Sequence, residues 1–186
     1  MRPAKTTLSL LAAVTLAMLM ATAPSKALVS GDNAPPAPEF THSSETEWIN
    51  SKPLTLADLR GNVVLVDFWT FDCWNCYRSF PWLNAVEEKY AAKGLKVIGV
   101  HSPEFEHEKV RDSIVKKMEE FMLHHPVMTD NDFSYWKAMR NRYWPAFFLI
   151  DKQGRVRAAH FGETHRGDAQ AQEIERDIEA LLNEPS

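Results

Sequence analysis

The stretch Val63–Cys76, VVLVDFWTFDCWNC, decides how the rest of the chain is read. Its first seven residues, Val63 to Trp69, are apolar on both faces of an extended chain. That pattern belongs to a central strand covered on both sides. Asp67 is the one exception, and an unpaired ionised carboxylate in such a place is costly. Cys73-Trp74-Asn75-Cys76 follows directly and opens an expected helix over Cys73–Tyr90. Free backbone N–H groups and the dipole at a helix start favour an anion, so a Cys73 thiolate is stabilised there. Cys76 lies one turn further in, within bonding reach of Cys73 and expected to be more buried.

Three other readings of the pair carry less weight. A structural disulfide closing so short a loop removes little chain entropy. A copper or zinc site needs further ligands, and none of the seven histidines has ligand spacing to the cysteines or to another histidine. Coincidence is weakened by the strand-then-helix context. Redox chemistry is the favoured reading.

Outward from this stretch, Phe80, Leu83, Val86 and Tyr90 recur on one helical face, with Pro81 placed to kink the helix. Leu95–Val100 (LKVIGV) is a second core strand, which makes a right-handed βαβ unit. Glu108–Met122 reads as a helix with Val110, Ile114, Met118 and Phe121 inward, and His125-Pro126 breaks it. A short helix is expected over Phe133–Arg142. Ala146–Ile150 and Val156–Phe161 flank the turn Asp151-Lys152-Gln153-Gly154 and form a hairpin. Ile174, Ile178 and Leu181 mark a final helix, and Glu47–Asn50 a short early strand. One sheet with helices on both faces accommodates this order.

At the N-terminus, Arg2 and Lys5 precede the uncharged run Leu8–Ala23, and small residues follow up to Ala27. This is the order of a secretory signal peptide, expected over residues 1–27. An uncleaved anchor is the alternative, although the run is shorter than a comfortable membrane span. Residues 28–46, with Pro35, Pro36 and Pro38, read as a flexible lead-in, and 47–184 as the folded domain.

The 186 residues carry 21 basic and 25 acidic side chains. Loss of residues 1–27 removes Arg2, Lys5 and Lys26 and no acid, leaving 18 basic side chains and a formal charge of −7. A nucleic-acid partner is therefore not expected. Two cysteines build no disulfide framework, and in an oxidising compartment they are either bonded or actively kept reduced.

The residues also resemble a known family. Asp67-Phe68-Trp69, then Cys73-x-x-Cys76, then Pro81 look like thioredoxin in their mutual spacing, and Trp144-Pro145 before a hairpin resembles its cis-proline loop. The longer separation between Cys76 and Pro145 resembles the exported TlpA-like thiol-disulfide oxidoreductases. DFWTFDCWNC, VIGVHSPEFEHEK and NRYWPAFFLID are especially similar to the thioredoxin-like domain of DipZ proteins. The likeness covers approximately residues 35–184. It implies a thioredoxin-like three-layer α/β/α sandwich, with a mixed central sheet and a helical insert between the βαβ unit and the C-terminal β-hairpin.

By this resemblance Cys73 is the attacking thiolate and Cys76 the resolving thiol. Pro145, in cis, offers neighbouring backbone to an extended substrate. Asp67 is the buried carboxylate beneath Cys76, its pKa raised by burial. Trp74, Asn75 and Trp144 are the expected substrate contacts, and Trp69 and Trp144 are expected to wall the site. There are departures. Asp72 replaces the tryptophan before the first cysteine and opposes the helix dipole, and Trp-Asn replaces Gly-Pro. The lysine near the buried acid is missing, with Gly99 in its strand. His101 reads as a structural histidine, and Glu163 is given no chemical role.

The expected reaction is thiol–disulfide exchange with no metal and no organic cofactor. With no cation between the cysteines and Asp72 beside them, a reductase is favoured over an oxidant. The expected partners are exported cysteine-containing proteins and, by the resemblance, a membrane electron donor of DsbD or CcdA type, in a periplasmic setting. The alternatives are a thiol oxidase of the same fold and a copper carrier using the two thiolates. A peroxidase is disfavoured because both cysteines sit in one motif.

Overall fold

The computed structural model describes residues 28–185. The expected signal peptide, 1–27, lies outside the described residues. Ten helices and strands follow one another: β1 Trp48–Ile49, β2 Val63–Trp69, α1 Trp74–Tyr90, β3 Leu95–His101, α2 Arg111–Glu120, β4 Val127–Thr129, α3 Ser134–Ala138, β5 Ala146–Ile150, β6 Val156–Phe161 and α4 Ala169–Asn183. They build one mixed sheet in the order β1-β4-β3-β2-β5-β6. β2, β3 and β4 run parallel, and β1, β5 and β6 are antiparallel to their neighbours.

β2 is central and wholly buried because both of its faces are apolar. Val63, Leu65 and Trp69 pack with α1, α2 and α4. Val64, Val66 and Phe68 pack on the opposite face, against Tyr135 of α3 and side chains from Ala37, Trp48, Leu56 and Leu59. The result is the expected three-layer α/β/α arrangement, with one outer layer built largely from irregular chain. The insert between β3 and β5 holds α2, β4 and α3. β4 is an addition to the sequence reading. Three residues behind His125-Pro126 are too few to show a strand period.

Three expected segments come out differently, and the first is the short helix expected over Phe133–Arg142, which covers only Ser134–Ala138. The helix expected from Glu108 starts only at Arg111, after a 3-10 turn over Glu106–Lys109. Val110, expected inward, is 53% exposed. The cause is Glu108, whose buried carboxylate turns back to accept from the Glu104 and Phe105 N–H groups at 2.6 and 2.7 Å. The lead-in 28–46 is irregular, as its prolines require, but it is packed against the body. The Val29 and Ala37 N–H groups donate to the Arg157 and Gly154 carbonyls, and the Val156 N–H donates to the Pro35 carbonyl, each at 2.9 Å. This covers part of the free edge of β6. His42 bonds Glu47 at 2.8 Å and Asp130 at 3.3 Å, tying the lead-in to the insert. Burial opposes a charged His42 ring, but these carboxylates outweigh it and raise its pKa.

Candidate active site

β2 delivers the chain to a turn at Thr70–Asp72, and α1 begins immediately after it. Cys73 is the residue that caps the helix. Its Sγ accepts from the Cys76 N–H at 3.2 Å, and its carbonyl accepts from the Cys76 and Tyr77 N–H groups at 3.0 and 3.2 Å. The two cysteines are joined as a disulfide, with Cα atoms 5.2 Å apart. Cys73 is half-buried and Cys76 fully buried. The N–H that meets Cys73 Sγ is a donor aimed where a thiolate charge develops on opening.

Around the pair, Trp74 is 68% exposed and Asn75 is also exposed. Asn75 contributes its carbonyl to the helix, accepting from Ser79 Oγ at 2.8 Å. The Trp144-Pro145 peptide bond is cis. Trp144 is half-buried, donates its ring N–H to the Ser102 carbonyl at 3.0 Å and lies over Trp136 with ring centres 4.2 Å apart. The Pro145 carbonyl accepts from the Gly162 N–H at 2.9 Å. Trp69, expected to wall the site, is instead a core residue with no exposed surface, packed edge-on against Phe80 and His101. Its place on a strand covered on both faces removes it from any substrate.

On β2, Asp67 is 1% exposed and neither carboxylate oxygen has a hydrogen-bond partner. Burial pushes its pKa up to about 8. Its side chain shares the face of Leu65 and Trp69, the face that holds Cys76. His101 is buried as well. Burial pushes its pKa down to about 3, so the ring stays neutral, and Nε2 meets Thr70 Oγ1 at 3.3 Å.

Two residues beside the turn were not singled out in the sequence. Glu108 Oε1 accepts from Thr70 Oγ1 at 2.5 Å and from the Asp72 N–H at 2.9 Å. His107 Nε2 meets Asp72 Oδ2 at 2.5 Å, so Asp72 does not stand alone beside Cys73. No local spacing ties either residue to a turn some 35 positions upstream, so no sequence signal pointed to them. Glu163 pairs with Arg78 of α1 at 3.0 Å and with His165, bracing the loop after β6 against the helix that carries the cysteines.

The model of the AhpC/TSA family matches residues 34–159. The chain belongs to the AhpC/TSA family. Within this thioredoxin-like family it is 45% identical over 121 residues to the protein DipZ of Mycobacterium tuberculosis, covering 63% of this chain and 17% of DipZ. It is 30% identical over 150 residues to the thiol-disulfide oxidoreductase YkuV of Bacillus subtilis, covering 80% of this chain and 95% of YkuV. Among solved structures it resembles the thioredoxin-like superfamily protein SPOA0173 with a TM-score of 0.72 and 28% identity, covering 82% of this chain and 99% of that one. The chain thus spans less than a fifth of DipZ and nearly all of YkuV.

Proposed function

We propose that the chain is an exported thiol–disulfide oxidoreductase that reduces disulfides in cysteine-containing exported proteins. The observation that carries this is the Cys73–Cys76 disulfide at a helix start, with Cys73 partly open and Cys76 shut away. In the reduced state the Cys73 thiolate attacks a substrate disulfide. One substrate sulfur leaves as a thiolate, and a mixed disulfide forms. Cys76 loses its proton to Asp67 and attacks Cys73 Sγ. The Cys73–Cys76 bond closes and the second substrate sulfur leaves with the electron pair. Two electrons pass to the substrate, and no metal or organic cofactor takes part.

Asp67 suits the role of proton acceptor because a carboxyl group that titrates near 8 exchanges protons with a thiol at little cost. In this reading the cis Trp144-Pro145 segment offers backbone to an extended substrate, and the exposed Trp74 and Asn75 form the contact surface. The reductive direction is supported by the absence of a cation at Trp74-Asn75 and by Asp72, which stands directly before Cys73. In this reading residues 1–27 direct export to the periplasm, 28–46 are the lead-in, 47–184 form the thioredoxin-like domain, and a membrane donor of DsbD or CcdA type resupplies electrons.

The test is capture. Cys76→Ser stalls the mixed disulfide, so substrates accumulate on Cys73 and are identified after purification. Equal capture by Cys73→Ser overturns the assignment of the two sulfurs. A redox titration tests direction, and a potential near that of DsbA, about −120 mV, overturns the reductase reading.

A further inference from the structure

Gly99 of β3 lies directly across from Asp67 of β2. A Cβ at Gly99 would stand 2.8 Å from Val127 Cγ2, 3.0 Å from Trp69 Nε1 and 3.2 Å from His125 Nε2. The space a side chain would take is therefore occupied by a Val127 methyl and two ring nitrogens. Both nitrogens, and both oxygens of Asp67, are buried without a hydrogen-bond partner. Buried polar atoms are normally satisfied, so four orphans beside one glycine require an explanation.

The other face of the imidazole supplies one. His125 Nδ1 meets Glu87 Oε2 at 3.3 Å. A carboxylate accepts, so Nδ1 donates in this contact and Nε2 is the ring nitrogen turned toward the partnerless atoms. Glu87 is 31% exposed and lines an open cleft with Asn84, Glu88, Met122 and His124. The loop that carries His125 is pinned by Asn50, whose side-chain amide donates to the Leu123 and His125 carbonyls at 3.2 Å each. A line of polar groups thus runs from solvent through Glu87 and His125 toward Asp67.

We propose that Glu87 and His125 conduct protons between solvent and Asp67, and so set the rate at which Cys76 is deprotonated and reprotonated. This rests on the function proposed above. His125 and Asp67 share no direct hydrogen bond. The proposed route therefore includes one bridging water between the partnerless oxygens of Asp67 and the partnerless Nε2 of His125. When Cys76 attacks, its proton passes to Asp67 and through the water to Nε2. The Nδ1 proton leaves through Glu87 to solvent. When the pair is reduced again, a proton enters by the reverse route, and the Nδ1–H form of the ring is restored. Neither residue touches a reacting sulfur, so both act through Asp67.

Few other titratable groups face this line. β3 supplies His101, held neutral, and the loop supplies the exposed His124. α2 presents Ile114 and Met118 to this face of the sheet, and α4 keeps its buried Asp177 on His160 at 3.1 Å.

The test is rapid-quench kinetics on the full chain with a model peptide disulfide, separating formation of the mixed disulfide at Cys73 from its decay by Cys76. Glu87→Gln and His125→Gln are expected to slow decay about ten- to a hundredfold at neutral pH, to leave formation unchanged, and to recover part of the rate in added imidazole. Decay within twofold of the unsubstituted protein in Glu87→Gln overturns the proposal. Glu87 is partly exposed, so that variant decides the matter even if His125→Gln fails to fold. If the unsubstituted chain forms no mixed disulfide at all, the failure belongs to the proposed function and not to the proton route.

Discussion

Asp67 and Glu108 are both buried carboxylates close to the cysteine motif, yet their surroundings are opposite. Glu108 accepts from Thr70 Oγ1 and from the N–H groups of Asp72, Glu104 and Phe105. Asp67 accepts from nothing, and burial raises its pKa to about 8. Donors on every side turn a buried acid into a fastener: Glu108 fixes the turn that presents Cys73. Without donors, a buried acid becomes a store for one proton. Burial alone does not distinguish these roles, and the hydrogen-bond partners do.

The largest effect expected from this contrast is on the pH dependence of stability. The folded-state pKa of Asp67 lies above its ordinary value of 3.8. Its favourable contribution is therefore complete below about pH 4 and is lost as pH rises through about 8. The loss is on the order of 6 kcal/mol. Denaturant unfolding at pH 5 and pH 9 should show Asp67→Asn losing much of this slope. Identical slopes in the two proteins would remove the contrast.

Glu108→Gln comes next. Its amide NH₂ faces N–H donors where an oxygen stood, so stability falls by about 3 kcal/mol. The fall in stability that Asp67 causes should survive this substitution. If it vanishes, the two acids are coupled and the distinction between fastener and proton store fails.

The smallest effect concerns Asp72. His107→Ala leaves the Asp72 carboxylate unpaired beside Cys73. Because both partners are well exposed, the pair is worth under about 1 kcal/mol. Alkylation of reduced Cys73 should slow about two- to threefold at low salt, and the difference should shrink as salt screens the charge. No change at low salt would show that Asp72 and His107 have no influence on the sulfur.

Much of the framework was legible in the residues. β2, β5 and β6 have the bounds that their apolar runs implied, and α1 opens at the cysteine motif as the strand-then-helix order required. The parts that escaped were short or distant. β4 has three residues, too few for a period. Val110 looked like a core position on a helix, but the turn built around Glu108 takes it out to solvent. Trp69 looked like a site wall, but a strand covered on both faces makes it core. Within the candidate site the cysteines and Asp67 could be singled out because each breaks a local pattern. Glu87, His107 and Glu108 break none, and His125 marked only the end of a helix.

Taken alone, the sequence determined the longer strands and helices, that two cysteines stand one helical turn apart at a helix mouth, and that one acid lies inside a buried strand. These follow from periods of two and 3.6 residues and from the chemistry of single side chains, which are local properties. Only the tertiary structure decided which acid is satisfied and which is orphaned, that Gly99 leaves room for the His125 ring, and that the turn before Cys73 is held by a residue from beyond β3. Those depend on strand register and on contacts across dozens of residues. Such contacts are fixed by packing the whole chain and leave no periodic mark along it.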